Sequence, residues 1–135
     1  MHTLQDLLIP ATNETPEISF EYSNHRLSIS GESYPENAMA FYGPVRASLQ
    51  DYLDKLPINS NIEIETNIAL RYFNSSSTKL IRALVTMLNT AASNGKLVAL
   101  NWFHDADDDM MTEFGQDLRE EHVALSFNSI AANIA

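Results

Sequence analysis

Asn74-Ser75-Ser76-Ser77-Thr78, five consecutive residues that each offer a side-chain oxygen, is the densest chemical feature of the chain. It stands directly before Leu80, Ile81, Leu84, Val85 and Leu88, which recur at helical spacing, so the run begins a helix. At a helix N-terminus, unpaired backbone N–H groups and the dipole favour negative charge, and a phosphate added to a hydroxyl there would be electrostatically prominent. Taken alone the run reads first as plain capping, although capping needs one side chain and four successive hydroxyl residues exceed that need. Lys79 follows, placed equally well to pair with a phosphate or to be a solvated first-turn lysine.

The other candidates for chemistry fall away on inspection. Asp105, Asp107 and Asp109 alternate as in a calcium loop, but the glycine and glutamate that such a loop requires are Met110 and Gln116 here. A solvated acidic helix start fits that segment better. The histidines, His2, His25, His104 and His122, have no ligand spacing and no HExxH pattern. Gly-x-Ser-x-Gly, Walker and Gly-x-Gly-x-x-Gly patterns are absent. Zero cysteines exclude a disulfide scaffold, a thiolate zinc site and a thiol nucleophile. The residues therefore give no support to an enzyme, a metal site or a cofactor. Trp102, Phe103, Tyr72 and Phe73 lie on expected strands and are assigned to the core.

These side chains must be carried by one domain spanning 1–135. A chain of 135 residues, 44% hydrophobic, has the length of a single domain and buries roughly two-thirds of its unfolded surface. Eighteen acidic against eight basic residues give a net charge of −10, which repels nucleic acid and anionic lipid. With neither a signal peptide nor a membrane-spanning stretch, a cytoplasmic location is the simplest expectation.

Residues 1–16, punctuated by Pro10 and Pro16, read as a loosely packed arm. Strands are expected over 17–22 and 26–30, forming a hairpin ended by Gly31, then over 61–73, 97–103 and 123–127. In the third of these, Ile62, Ile64, Thr66, Ile68, Leu70 and Tyr72 share one face. A first helix carries Met39 to Leu56, and Gly43-Pro44 either restarts or kinks it. The second runs from the serine run to Asn94-Gly95, and the third follows Asp105–Asp109. The order β-β-α-β-α-β-α-β implies an α/β fold with a mixed sheet of about five strands covered by helices.

Several segments together resemble one family, the SiaC-type regulatory phosphoproteins of bacterial partner-switching pathways. They are Thr15-Pro16-Glu17-Ile18, Gly31-Glu32-Ser33-Tyr34-Pro35-Glu36-Asn37, Leu70-Arg71-Tyr72-Phe73-Asn74-Ser75-Ser76-Ser77 and Val98-Ala99-Leu100-Asn101-Trp102. The resemblance runs from about residue 12 to the end of the chain, and Ser-Tyr-Pro-Glu-Asn is its most specific block. It implies a fold similar to the STAS-like anti-sigma-factor antagonists and a protein without catalytic activity. It further implies phosphorylation by a cognate serine/threonine kinase, reversal by a PP2C-type phosphatase, and activation of a diguanylate cyclase by the unmodified form. The output of such a pathway is cyclic-di-GMP synthesis and biofilm control. Carried over residue by residue, the phosphoacceptor falls on Ser75; the family commonly has threonine there, which leaves Ser76 as the alternative. The expected docking surface comprises Asn74, Ser76, Ser77, Lys79 and Arg82 with the loop Tyr34, Pro35, Glu36 and Asn37. Two other functions remain open: an antagonist that sequesters an anti-sigma kinase and releases a sigma factor, and a small hydrolase using the acidic loop Asp105–Asp109.

Overall fold

The computed structural model describes residues 4–57 and 61–134. Its six strands lie side by side in chain order. They are β1 (Leu7–Ile9), β2 (Glu17–Glu21), β3 (Arg26–Ser33), β4 (Glu63–Phe73), β5 (Leu97–His104) and β6 (Ser126–Ala131). The first three pair antiparallel, and β3 to β6 pair parallel. Each parallel step is bridged by a helix: α1 (Ala38–Lys55), α2 (Ser75–Ser93) and α3 (Asp109–Glu121). Right-handed crossovers that always step in the same direction place all three helices on one face of the sheet.

The burial pattern follows from that arrangement. On β4, Ile64, Thr66, Ile68 and Leu70 are buried, and on β5 so are Val98, Leu100, Trp102 and His104. The alternate residues Asn67, Asn101 and Asn128 are in register on the opposite face, where the Asn101 amide donates to Asn67 at 2.9 Å and that of Asn128 to Asn101 at 3.1 Å.

Four expectations are corrected. The sheet has six strands rather than about five, because Leu7–Ile9, inside the expected loose arm, pairs with Ile18–Phe20. The first three residues of that arm lie outside the described residues. Strand β3 continues through Gly31, whose φ of 116° only glycine adopts readily, to Ser33. The last strand is Ser126–Ala131, not 123–127, and Val123 is exposed. Of the two alternatives at Gly43-Pro44, the helix does not restart: α1 runs through Pro44 as one helix, and losing one N–H is compatible with that because the flanking turns bury Tyr42, Val45 and Leu49.

The most consequential correction concerns Tyr72. Leu70 pairs with Gly31 and Tyr72 with Glu32, so Arg71 is an extra residue in β4. Such a bulge reverses the inside-outside alternation. Tyr72, expected in the core, is half exposed, while Phe73 turns inward onto Trp102 and Phe114 at ring separations of 6.3 and 4.9 Å.

Helix α3 closes over this aromatic cluster at Gly115. A Cβ there would lie 2.5 Å from Trp102 Cδ1, and the indole cannot yield because its N–H donates to the Met111 carbonyl at 3.0 Å. Gly115→Ala is therefore expected to destabilise the fold by about 1–3 kcal/mol through overpacking, despite the better helix propensity of alanine. Urea denaturation of both proteins measures the difference, and an alanine variant as stable as the parent would contradict the close approach.

Candidate functional site

Parallel pairing of β3 with β4 brings their C-terminal ends together, and with them the two segments singled out in the sequence. The Asn74 amide donates to the Ser33 carbonyl at 2.9 Å, which sets the 34–37 loop beside the start of α2. Asn74 is the N-cap: its Oδ1 accepts from Ser77 N at 2.9 Å and its carbonyl from Thr78 N at 3.0 Å. Ser75 is consequently the first helical residue, and its N–H and that of Ser76 precede the first intrahelical acceptor.

The three serines, equivalent by composition, occupy different environments. Ser75 and Ser76 are exposed, whereas Ser77 has no accessible surface. Ser77 Oγ accepts from Ser33 Oγ at 2.8 Å, and Ser33 in turn lies 2.6 Å from the Tyr42 hydroxyl. Burial pushes Tyr42 up to about 12, an effect the Ser33 hydrogen bond partly offsets, so the phenol stays protonated and able to donate. This buried chain of hydroxyls ties α1, β3 and the first turn of α2 together. Helical geometry points three neighbouring hydroxyls in three directions, and one of them must face the sheet.

Among the other expected docking residues, Lys79 is exposed one helical turn beyond Ser75, within reach of an anion held there. Glu36 and Asn37 share a hollow of about 460 Å³ with Ser75, Ser76 and Lys79. Asn37 also caps α1 by accepting from Ala40 N at 3.1 Å. Pro35 is buried, and Tyr34 packs edge-on against Tyr72 with ring centres 5.9 Å apart. Arg82 lies two turns along α2 and joins it to α3: its Nε is 2.9 Å from Glu121 Oε1 and its guanidinium sits 5.0 Å from the Phe114 ring centre.

Ser75 is also on the rim of a second hollow, of about 410 Å³, between the end of β4 and the start of α3. Its walls include Tyr72, Phe73, Met110, Met111 and Phe114. None of these five is among the docking residues expected from sequence, and two of them, Tyr72 and Met110, are exposed. For Tyr72 the bulge hides the signal; for Met110 a signal existed, since it stands one position off the buried stripe Met111, Gly115, Leu118.

The acidic segment has structural employment. Asp108 caps α3 by accepting from Met111 N at 3.1 Å, and Asp105 Oδ1 accepts from Ile134 N at 3.0 Å. No group of three or more metal-ligating side chains occurs among the described residues. None of the described helices is long and apolar enough to cross a membrane. The arrangement presents a hydroxyl to solvent at the positive end of a helix, flanked by a lysine and two hollows, which is the chemistry of a modifiable surface.

Comparison with known proteins bears on the fold and the family. An uncharacterized protein of Pseudomonas aeruginosa (strain UCBPP-PA14) is 31% identical over 118 residues, covering 87% of this chain and 90% of that one. The crystal structure of apo-SiaC from Pseudomonas aeruginosa superposes with a TM-score of 0.83 at 31% identity, covering 94% of this chain and 99% of the other. The same score and identity are found with the complex of the diguanylate cyclase SiaD and its activator SiaC, where 94% of this chain and all of that one are covered. The sequence model for SiaC family regulatory phosphoproteins matches residues 9–132. A mixed sheet with three helices on one face, an accessible serine at the start of α2 and a family match over nearly the whole length lead to one conclusion: the chain belongs to the SiaC family of regulatory phosphoproteins.

Proposed function

We propose that this protein is a non-catalytic switch of a bacterial partner-switching pathway: unmodified, it binds and activates a diguanylate cyclase in the cytoplasm, and phosphorylation of Ser75 releases it. A cognate serine/threonine kinase adds the phosphate and a PP2C-type phosphatase removes it. The observation that carries this reading is the position of Ser75, exposed as the first residue of α2 and shared by the rims of both hollows. The family relationship and the SiaD complex of the related SiaC support the choice of partner.

The physics is that of desolvation. A phosphate brings roughly −1.5 to −2 charges and a tightly held hydration shell. Lys79 and the α2 N-terminus stabilise it on the free protein, but docking against the apolar side chains beside it would require stripping that shell. The phosphorylated state and the docked state then exclude one another.

Ser77 is unsuited as acceptor because a kinase would have to open the hydroxyl network at its buried Oγ; Ser76 is accessible and is the alternative. Intact-mass and phosphopeptide analysis of the protein from its own cells tests the reading. A single phosphate on Ser75 is expected, with a diguanylate cyclase co-purifying only with the unmodified form. Co-purification of an anti-sigma kinase with its sigma factor, and no cyclase, would instead identify an antagonist of the sigma-factor type.

A further inference from the structure

Among the described residues, seven large hydrophobic side chains are substantially exposed; three of them, Met39, Tyr72 and Met110, line the two hollows that Ser75 shares, and a fourth, Tyr34, packs on Tyr72. Met110 is 82% exposed although a helix of this amphipathic pattern could have carried a polar residue there without cost to its packing. Beside it the charge is strongly one-sided. Asp107, Asp109, Glu113 and Asp117 are exposed along the outer side of α3, whose helical residues include five acids and a single base, Arg119.

We infer that the hollow between the end of β4 and the start of α3 is the seat for an apolar anchor residue of the cyclase, carried on a segment whose Lys or Arg residues lie along α3. This inference rests on the proposed function for the identity of the partner. The floor, Phe73, Phe114 and Met111, is held rigid by Trp102, whose ring lies 5.6 Å from that of Phe114. A preformed hollow of about 410 Å³, apolar at its floor and rimmed by Arg71, Thr78 and Asp108, accommodates a large aromatic or branched side chain, the kind of anchor that dominates interface energetics. Charge complementarity selects the flanks: a basic segment gains from Asp107, Asp109 and Glu113, while an acidic one is repelled by them. The layout also separates two electrostatic effects. The partner's cations face α3, and its apolar anchor faces Ser75, so a phosphate there meets hydrocarbon rather than a countercharge.

The test places a photoreactive benzoylphenylalanine at Met110 or, as control, at Val123, in the full-length protein in its own cells. Val123 is equally exposed but lies beyond the far end of α3, roughly 20 Å away for a helix of this length. Irradiation is expected to join position 110, and not 123, to a diguanylate cyclase peptide with an apolar residue flanked by Lys or Arg. The cross-link should be lost in the Asp107→Lys, Asp109→Lys double variant, whose melting temperature checks that it remains folded. A cyclase cross-linked at 123 instead, or at 110 regardless of the charge reversal, overturns the inference and leaves the proposed function standing. A different basic protein at 110, lost on charge reversal, overturns the proposed partner and keeps the surface. A second copy of this chain at 110, or no cross-link from 110, overturns the inference.

Discussion

Ser75→Asp is expected to weaken the complex with the cyclase by roughly tenfold to a hundredfold, about 1.4–2.8 kcal/mol, while leaving the fold intact. The two halves of that statement have opposite electrostatic origins. In the free protein a carboxylate at the first position of α2 is stabilised by the helix dipole, by roughly 0.3–1 kcal/mol, so the melting temperature should hold or rise slightly. In the complex the same carboxylate must shed water against Tyr72, Met110 and the partner's anchor, while Arg71 on the same rim is already shared with Glu32 at 3.5 Å. Ser75→Ala, which removes only the hydroxyl, should bind as the parent does and escape regulation. Calorimetric titration of the purified cyclase with the three proteins measures these affinities. Tighter binding by Ser75→Asp would mean that a countercharge of the partner faces Ser75, and the desolvation argument would fail.

Trp102→Ala is expected to have the largest effect on stability, about 3–5 kcal/mol, which for a domain of this size lowers the melting temperature by roughly 10–20 °C. Trp102 is 1% exposed, packs against Phe73 and Phe114, accepts the close approach of Gly115 and donates its indole N–H to Met111. Its removal opens a cavity under the hollow and frees the first turn of α3, so docking should fall as well. Trp102→Phe keeps much of the volume but not the N–H donor, and is expected to cost roughly half as much. Thermal denaturation followed by circular dichroism distinguishes them; an alanine variant losing under about 1 kcal/mol would show that α3 is not anchored through this ring.

Much of the architecture was legible because it depends on local rules. The α2 boundaries followed from an N-cap residue at one end and Asn94-Gly95 at the other, with Gly95 at φ 100°. The parallel part of the sheet followed from alternating strands and helices. The segment Leu7–Ile9 escaped because three residues just before Pro10 carry no periodicity; it is a strand only because β2 offers an unpaired edge. The last strand was displaced for a similar reason: apart from Phe127 and Ile130, Ser126–Ala131 is polar or small, and its pairing with β5 rather than its own pattern makes it a strand.

At the site, the serine run, its place at a helix N-terminus, the family and the charge of −10 are legible before any contact is known. These are properties of residue type and short-range spacing. Which serine is reachable, and what surrounds it, was decided only by the tertiary structure. Ser77 is sequestered because β3 and α1 supply Ser33 and Tyr42, residues 44 and 35 positions earlier in the chain. Tyr72 is brought to the surface by an extra residue in β4 that is defined only by its pairing with β3. Met110 gains its meaning from the acidic helix it opens and the aromatic floor beside it. Each depends on segments distant in sequence meeting at one end of a sheet, and a one-residue shift in a strand or a third of a turn in a helix reverses which side chains face outward.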